Sequence, residues 1–422
     1  MPRAAREQLQ LERLQDTLQR AREHVAFHRE RLGGARVSAL ADLASLPFVR
    51  KSDLREQYPF GLLAVPRPEV ARIHASSGTK GKPTVAAYTA GDLDVWREVM
   101  ARALTAAGAR RGDLLHVAFG YGLFTGGLGF HDGAERLGMT VVPVSSGNTA
   151  RHHLLLQDFK PDVLAGTPSF ALHLAETLAE AGGTPRELGL RVGLFGAEPW
   201  TDGIRVALEH AFGLSAFDIY GLSEIIGPGV AGECEARDGL HVADDHFLPE
   251  IVDPASGAVL PPGREGELVF TTLTKRAMPL VRYRTGDITT LTLEPCRCGR
   301  TSARMARVKG RSDDMLIVKG VNLYPSEIER TLLAVEELAP HYQLVVDRAA
   351  TLARLEVQVE PAPEVVARCG GFAADHPEIA ALRRRAAEQL RQATGLSVEL
   401  TIVAPRTIPR SEGKAVRVIE RG

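Results

Sequence analysis

The segment 75–84 has residue types suited to holding phosphate oxygens. It reads ASSGTKGKPT and combines two glycines and two lysines with several hydroxyl side chains. Glycines let the backbone approach an anion closely, backbone N–H groups and hydroxyls donate hydrogen bonds, and lysines neutralise charge. The spacing differs from that of the GxxxxGKS/T P-loop. The residues alone therefore leave two interpretations, a phosphate-binding loop and a plain flexible loop.

Three cysteines and a histidine have the residue types of a structural zinc site. Cys296 and Cys298 form a CxC turn, and Cys234 precedes His241 by seven residues. Three thiolates and one imidazole would complete a tetrahedral Zn²⁺ site. The spacing is not a standard CxxC pair, so ordinary reduced cysteines remain the alternative. Cys369 has no evident partner and is interpreted as incidental.

Four further segments follow the 75–84 loop along the chain. They are 217–224 (FDIYGLSE), 283–287 (YRTGD), 309–314 (KGRSDD) and 409–414 (PRSEGK). The five segments, in this order, resemble the adenylate-forming acyl-CoA synthetase superfamily. A closer resemblance, to the phenylacetate-CoA ligase family, is carried by 121–129 (YGLFTGGLG), 239–241 (GLH), 245–247 (DHF), 270–275 (FTTLTK) and 320–325 (GVNLYP). It extends over nearly the whole chain.

The resemblance implies a reaction in two steps. A carboxylic acid attacks the α-phosphate of ATP to give an acyl-adenylate and pyrophosphate, and the thiol of coenzyme A then attacks the adenylate. The protein mainly supplies positioning and charge stabilisation. We therefore expect an ATP-dependent aryl-acid:CoA ligase. Two alternatives are transfer of the adenylate to a carrier-protein thiol or an amine, and a non-catalytic binder of nucleotide or aryl acid.

The resemblance also assigns roles around the nucleotide. Glu224 is expected to bind Mg²⁺, because a hard cation that bridges phosphates is usually held by carboxylates; its alternative is a solvated acidic residue. Asp287 is expected to accept hydrogen bonds from the ribose hydroxyls, or else to cap a turn. Lys414 is expected to bridge the carboxylate and the α-phosphate during adenylation, with a solvated terminal lysine as the alternative. Glu224 and Lys414 are the predicted catalytic residues. The other residues predicted to bind ATP or AMP are Ser76, Ser77, Gly78, Thr79, Lys80, Glu198, Asp218, Tyr220, Gly221 and Arg311.

The resemblance also implies that one domain moves between the two half-reactions. Asp313 matches the family's hinge position, with Asp314 as the adjacent alternative, and the C-terminal domain is expected to rotate there between the two steps. Lys319, Gly320 and Tyr324 are predicted to lie on the coenzyme A side.

An aryl ring needs flat apolar walls with few polar groups. Two departures from the family pattern bear on the acid: Phe130 would shorten the pocket, and Asp132 would meet a polar ring substituent. A substituted benzoate is therefore an alternative to phenylacetate. A third departure is Thr79-Lys80, where the superfamily usually has two threonines, although a lysine suits a phosphate loop. The predicted pocket residues include Phe130 and His131. The others, each with a core position as its alternative, are Tyr121, Phe124, Gly127, Ala197, Ile219, Tyr220 and Gly221.

Composition excludes several other classes of protein. The 422 residues are 44% hydrophobic and 24% charged, which is typical of globular domains. Lys and Arg number 51 against 52 Asp and Glu, so no global field attracts nucleic acid or an anionic membrane. No secretion signal and no run of 18 apolar residues is evident. We expect a cytoplasmic protein with reduced cysteines and with no nucleic-acid or membrane partner.

The segments described above require two folded parts. From residue 69 onward, short apolar runs such as 114–117 and 191–195 alternate with helical patterns such as 202–212, which favours parallel strands. Strand-like pieces and turns dominate 239–293. The expected fold class is α/β, with a large N-terminal adenylate-forming domain (1–312) containing a β-rich subdomain and a small mobile C-terminal α+β domain (313–422). The helical pattern in 7–32 predicts a helix on the surface or against a partner. The superfamily resemblance favours a homodimer, to which this helix could contribute.

Overall fold

The structure is a computed structural model, and its elements fall into an α/β part and a smaller α+β part. It describes residues 1–76, 83–312, 316–318, 321–347, 354–396, 398–411, 413 and 415–421.

The first 222 residues form the N-terminal helices, one hairpin and an alternating α/β region. In chain order the elements are α1 (Arg3–His24), α2 (Ala26–Leu32), α3 (Lys51–Glu56), β1 (Val70–Ala75), β2 (Val85–Thr89), α4 (Ala90–Ala106), β3 (Leu114–Val117), α5 (Gly126–Leu137), β4 (Thr140–Pro143), α6 (Thr149–Phe159), β5 (Val163–Gly166), α7 (Pro168–Glu180), β6 (Val192–Gly196), α8 (Asp202–Phe212) and β7 (Ser215–Leu222).

Strands dominate the next 90 residues, and the last part mixes strands and helices. The β-rich elements are β8 (Gly227–Glu233), β9 (Leu240–Val242), β10 (Phe247–Val252), β11 (Gly266–Thr272), β12 (Tyr283–Thr289), β13 (Leu291–Thr292), β14 (Arg304–Met305) and β15 (Gly310–Arg311). The last elements are β16 (Leu316–Val318), β17 (Val321–Leu323), α9 (Pro325–Leu333), β18 (Leu338–Asp347), β19 (Arg354–Pro361), α10 (Pro363–Arg368), α11 (Pro377–Thr394), β20 (Glu399–Ile402) and β21 (Val418–Arg421).

A nine-stranded sheet forms the centre of the larger part. Its strand order is β13-β14-β9-β8-β7-β6-β5-β3-β4, and β3 to β7 run parallel. Because successive side chains of a strand point to opposite faces, Val163 and Ala165 face the cluster that includes α4 and α5, whereas Leu164 faces the cluster of α6, α7 and α8. Helices therefore cover both faces of the parallel region, which confirms the α/β prediction.

Two four-stranded sheets accompany the nine-stranded sheet, together with the two-stranded pairs β1-β2 and β16-β17. Strands β10, β11, β12 and β15 form an antiparallel sheet in the β-rich region. In the last part, β20-β19-β18-β21 form a mixed sheet whose core also takes side chains from α9 and α11. This last part is the small α+β unit that the sequence predicts.

The helices α4 and α7 begin where the sequence supplies caps. Thr89 and Asp92 form a reciprocal capping box, with hydrogen bonds of 2.8 and 3.1 Å between side chains and backbone N–H groups. At α7, Thr167 is the N-cap and Pro168 occupies the first helical position, where its missing N–H costs nothing. Thr167 is also placed at the carboxyl end of β5, which matters for the site.

The predicted N-terminal helix, α1, packs against the β-rich region of its own chain. Leu14, Leu18 and Ala21 are buried in a cluster with Leu273 and Val281 from the β-rich region. Two buried side chains, Gln10 and Thr17, donate hydrogen bonds of 2.7 and 3.0 Å to the backbone carbonyls of Asp244 and Leu273. The apolar face of α1 is therefore buried within one subunit. It is not available as the partner-packing surface that the sequence allowed as an interpretation.

None of the helices in the described ranges combines the length and apolarity that crossing a membrane requires.

A buried histidine pair joins the sheet to a covering helix. His116 on β3 and His152 on α6 are both fully buried, and His116 Nε2 lies 2.8 Å from His152 Nδ1. Burial lowers the pKa of His116 to about 3 and that of His152 to about 4. Both imidazoles are therefore neutral near pH 7, and the N–H of one ring donates a hydrogen bond to the ring nitrogen of the other.

Replacing both histidines, His116→Leu with His152→Leu, should reduce the acid sensitivity of folding. The folded pKa values lie below the unfolded value of about 6.5, so the unfolded chain binds more protons as the pH falls, and stability is lost from about pH 6.5 downward. The two residues together contribute up to about 2.7 kcal/mol per pH unit to that slope. Urea unfolding at pH 7.5, 6.5 and 5.5 measures it, with the exposed His24→Leu as control. An unchanged slope in the double variant would contradict the assignment.

Candidate active site

The carboxyl ends of the parallel strands bring most of the predicted residues to one edge of the sheet. Strand order reverses between β3 and β5, and ligands of open α/β sheets bind at such a reversal. The loop after β3 carries Tyr121 and Phe124, the turn after β6 carries Ala197 and Glu198, and the end of β7 carries 219–224. Residues separated widely in sequence thus meet because their strands end at the same edge.

The base of the 75–84 loop lies against Glu224. Strands β1 and β2 pair antiparallel, so the loop leaves and re-enters at Ser76 and Thr84, whose hydroxyls hydrogen-bond to each other. The Thr84 hydroxyl donates to Glu224 Oε1 at 3.2 Å, across 140 residues of sequence. A carboxylate and two hydroxyls are therefore grouped beside the loop predicted to hold phosphates. The predicted Ser77, Gly78, Thr79 and Lys80 lie outside the described residues.

Two lysines around Glu224 received no role from the sequence. Lys51 Nζ, at the start of α3, lies 3.8 Å from Glu224 Oε1. Lys275 Nζ donates to the Glu224 carbonyl at 2.8 Å and lies over the Tyr88 ring. Burial lowers the pKa of Lys275 to about 8. Lys275 had a signal, since it ends the 270–275 segment that carries the family resemblance, whereas Lys51 had none.

Asp287 lies where the two sheets of the larger part meet. The Tyr220 hydroxyl donates to Asp287 Oδ2 at 2.5 Å, and an Arg311 N–H donates to Asp287 Oδ1 at 3.2 Å. Burial and the charge of Asp287 raise the pKa of Tyr220 well above its usual value, so its hydroxyl remains a donor. Three of the predicted nucleotide residues are thus in contact, with a carboxylate oriented to accept hydrogen bonds.

Gly221 is needed because β7 and β8 approach closely at the site. A Cβ at this position would lie 1.8 Å from the backbone oxygen of Gly227. Any side chain would push β7, which carries Tyr220, away from β8 and would disturb the turn between them that carries Glu224.

Two of the predicted nucleotide ligands, Glu198 and Asp218, have their carboxylates engaged by other parts of the protein. Asp218 accepts a hydrogen bond of 2.9 Å from the Trp200 indole and lies in a buried network with Arg205 and Glu233. Burial, followed by the nearby Glu233 charge, raises the pKa of Asp218 to about 7. The structure therefore places the Asp218 carboxylate inside the protein rather than on an open nucleotide surface.

Glu198 accepts hydrogen bonds from two different parts of the chain. Its Oε1 accepts from the Ser169 N–H at 2.9 Å and the Ser169 hydroxyl at 2.6 Å. Its Oε2 accepts from the Ala415 N–H at 2.7 Å. Glu198 thus joins α7 to the C-terminal part.

The predicted acid pocket is only partly assembled as the sequence suggested. Tyr121 is half-buried, and its hydroxyl lies 3.3 Å from Nδ1 of His131. The other ring nitrogen of His131, Nε2, lies 3.1 Å from Glu135 Oε1. Phe124 and Ala197 are exposed, whereas Ile219 is buried in the core. Gly127 is required at the start of α5, because a Cβ there would lie 2.7 Å from the Gly120 carbonyl oxygen.

The two departures near His131 take positions that the sequence did not anticipate. Phe130 is fully buried and stacks on Phe119, with ring centroids 5.1 Å apart. It therefore presents no surface to a ligand in this arrangement, which corrects its assignment as a pocket wall. Asp132 pairs with Arg72 at 2.7 Å, so its charge is already neutralised by a cation of the protein.

The predicted zinc ligands come together in space. The donor atoms of Cys234, His241, Cys296 and Cys298 all lie within 4.8 Å of one another. The Cys234 and Cys296 sulfurs are 3.9 Å apart, and Cys298 Sγ is 3.4 Å from His241 Nε2. Tetrahedral zinc with ordinary bond lengths needs about 3.8 Å between two sulfurs and about 3.6 Å between sulfur and nitrogen. The geometry fits the metal.

A polar neighbour orients the histidine of this cluster. His241 Nδ1 lies 3.1 Å from the Ser302 hydroxyl, while Nε2 faces Cys298. A hydrogen bond on one ring nitrogen is the usual means of directing the other toward a metal.

Cys369 lies near His376 and Glu378, but Glu378 is paired with Arg368 at 2.7 Å. The cation there disfavours a second metal.

The C-terminal part contacts the larger part along α7. Glu176 interacts with both His341 and Arg410, and Glu180 pairs with Arg406. Tyr324, predicted on the coenzyme A side, lies beside Lys309 and Gly310 at the junction of the two parts. The predicted Asp313, the adjacent Asp314, and Lys319, Gly320 and Lys414 lie outside the described residues.

Two family models match the chain. The one described as AMP-binding enzyme matches residues 64–273, and the one described as AMP-binding enzyme C-terminal domain matches residues 320–421. The phenylacetate-coenzyme A ligase of Thermus thermophilus is 53% identical over 430 residues, which cover 99% of this chain and 96% of the relative.

Solved structures give a second comparison. The crystal structure of 2-hydroxyisobutyryl-CoA ligase in the postadenylation state, in complex with 2-HIB-AMP, is 33% identical, with a TM-score of 0.93 over 100% of this chain and 90% of that one. The structure of the same enzyme in the thioesterification state, in complex with 2-HIB-AMP and CoA, has a TM-score of 0.72 over 100% of this chain and 90% of that one.

Removing the hydroxyl that fixes Asp287 should weaken nucleotide binding. In Tyr220→Phe, Asp287 loses one charged hydrogen bond, and we expect the Kd for ATP to rise about tenfold. Tyr121→Phe makes the same chemical change in the predicted acid pocket and should leave this Kd unchanged. Calorimetric titration with ATP and Mg²⁺ measures both. Equal affinities in the two variants would argue against Asp287 as the ribose ligand.

Proposed function

Because this chain belongs to the phenylacetate-CoA ligase family of adenylate-forming enzymes, we propose that it joins phenylacetate to coenzyme A at the expense of ATP. It is an AMP-forming acid–thiol ligase that acts through an acyl-adenylate. The contact between Thr84 and Glu224 carries the assignment to this site, because it unites the base of the phosphate-type loop with the predicted metal ligand.

For adenylation, the protein's own groups supply charge and orientation. Glu224 and the adjacent Thr84 hydroxyl are hard oxygen donors that suit Mg²⁺, whose role when bound is to neutralise charge on the phosphates. Lys51 lies close enough to Glu224 to exchange that contact for a phosphate oxygen. Asp287, fixed by Tyr220 and Arg311, accepts hydrogen bonds from the ribose hydroxyls. Lys414 stabilises the charge that develops between the carboxylate and the α-phosphate.

For thioester formation, the C-terminal part must change position. The TM-score is 0.93 against the postadenylation state of one relative and 0.72 against its thioesterification state, which supports an arrangement of the two parts closer to the postadenylation state. We propose that rotation at Asp313 brings the side with Lys319, Gly320 and Tyr324 toward the adenylate. Coenzyme A then attacks from that side.

The aromatic acid follows from the pocket and the relatives. The two observations that favoured a substituted benzoate were Phe130 and Asp132, and both are engaged within the protein. Phenylacetate is the acid in the names of the relatives at 48–53% identity. We therefore propose phenylacetate, with a polar-substituted acid at the Tyr121–His131 pair as the alternative.

The activity test is acid-dependent ATP–pyrophosphate exchange with phenylacetate, benzoate, hydroxybenzoates and aminobenzoates, each with and without coenzyme A. We expect phenylacetate to give the highest kcat/KM and to yield a thioester. Exchange without thioester would indicate transfer to a carrier-protein thiol or an amine. Silence with every acid would indicate a non-catalytic binder.

Lys414→Ala tests the assignment of the C-terminal lysine. Loss of its charge should lower exchange by about 10²- to 10³-fold while the Kd for ATP stays within about twofold, because the charge is needed when the bond forms. Exchange rates and calorimetric Kd values measure the two effects. Normal exchange would remove Lys414 from the mechanism.

We also propose that Cys234, His241, Cys296 and Cys298 hold a structural zinc ion. The support is the match of their spacing to tetrahedral coordination together with the oriented His241. The ion would join the turn after β8 to the loop between β13 and β14. The cluster would stabilise the β-rich region and take no part in the reaction.

Cys296→Ser should abolish zinc binding. Elemental analysis is expected to fall from about one zinc per chain to none, and the Tm should fall by about 5–10 °C, because bound metal contributes directly to folding. Cys369→Ser is the matched control and should change neither value. Wild-type protein purified without zinc would contradict the proposal.

We further propose a cytoplasmic location, where ATP and coenzyme A are available. A homodimer remains a prediction from the family resemblance. It must use a surface other than the apolar stripe of α1, which is covered within the subunit.

A further inference from the structure

Glu198 lies at the carboxyl end of β6, among the residues that the sequence assigned to the nucleotide. Its partners, however, are groups of the protein. One oxygen accepts two hydrogen bonds from Ser169 at the start of α7, and the other accepts one from the Ala415 backbone N–H. The carboxylate thus uses both oxygens to join the larger part to a backbone position next to Lys414.

The residue on the other side of Lys414 is anchored in the same way. The Thr167 hydroxyl donates to the Gly413 carbonyl at 2.7 Å. Thr167 and Ser169 are both at the start of α7, and Arg417 also reaches the Ser169 hydroxyl at 3.4 Å. The backbone on both flanks of position 414 is therefore attached to one helix terminus and one carboxylate of the larger part.

We propose that Glu198 is a positioning residue that holds the backbone at Ala415, next in sequence to Lys414, in the arrangement of the C-terminal part that serves adenylation. This inference rests on the proposed role of Lys414. It replaces the expectation that Glu198 contacts the nucleotide. The carboxylate acts on the backbone at Ala415 and does not touch the reacting atoms.

The chemistry of the contacts supports a carboxylate at this position. A backbone N–H and a hydroxyl approach one oxygen while a second N–H approaches the other, so both oxygens must accept. A glutamine has one acceptor oxygen, and its amide N–H groups would face a donor on one of the two sides. The contact between Glu198 and Ala415 also belongs to one domain arrangement, since rotation of the C-terminal part would separate them.

The test compares the two half-reactions in Glu198→Gln. We expect kcat for acid-dependent ATP–pyrophosphate exchange to fall about tenfold to a hundredfold, which corresponds to loss of a charged hydrogen bond. The KM for ATP should stay within about twofold. Thioester formation from chemically synthesised phenylacetyl-adenylate and coenzyme A should keep the wild-type rate, because Lys414 is not needed in that step.

Two companion variants sharpen the comparison. Glu180→Gln removes an exposed carboxylate that pairs with Arg406 across the same contact between the two parts, and it should leave both half-reactions unchanged. Ser169→Ala removes one hydroxyl donor to Glu198 and should lower exchange in the same direction but by less.

Two outcomes would overturn the inference. A raised KM for ATP with weaker binding of the adenylate in both half-reactions would make Glu198 a nucleotide ligand. Equal loss of both half-reactions with a lower Tm would make it a structural residue. Failure of the proposed function is separate: it would appear as absent exchange in the wild type, or as normal exchange in Lys414→Ala.

Discussion

The parallel alignment of β3 to β7 is the constraint on which the site depends. Parallel neighbours require a crossover after every strand, so each connection returns through a helix and each carboxyl end opens at the same edge of the sheet. Tyr121, Thr167, Glu198 and Glu224 reach that edge from four different strands. No local interaction could bring together residues so distant in sequence.

The carboxylates at this edge are already oriented by groups of the protein. Glu224 is contacted by Thr84 and Lys51, and Asp287 is contacted by Tyr220 and Arg311. Each pair of donors fixes a carboxylate before a ligand arrives, which reduces the ordering cost of binding. The cost is that substrate must compete for some of the same oxygens. The half-exposed Lys51 is the partner most easily displaced from Glu224.

Sequence patterns predicted elements better than they predicted contacts. Strand 114–117 and helix 202–212 have the predicted bounds, because apolar periodicity and capping residues act over a few positions. The grouping of Cys234, His241, Cys296 and Cys298 could also be predicted, since thiols and imidazole have few other joint uses. Contacts between particular side chains could not be predicted in this way. Phe130 stacks on Phe119 in the core, and Lys51 forms an ion pair with Glu224. Glu198 accepts a hydrogen bond from Ala415, which is 217 residues away. The type of a residue determines which interactions its side chain can make, whereas the tertiary structure determines which partner it contacts.

The contact between α7 and the C-terminal part includes a charged side chain from each side, Glu176 on α7 and Arg410 on the C-terminal part. Under the proposed rotation this surface separates in every turnover and spends part of the cycle in water, where charged groups are well solvated and an apolar face would promote aggregation. Partly exposed ion pairs are screened by dissolved salt over about 8 Å at physiological ionic strength. A change in ionic strength should therefore shift the balance between the two domain arrangements. The salt concentration of the medium would then influence which half-reaction limits turnover.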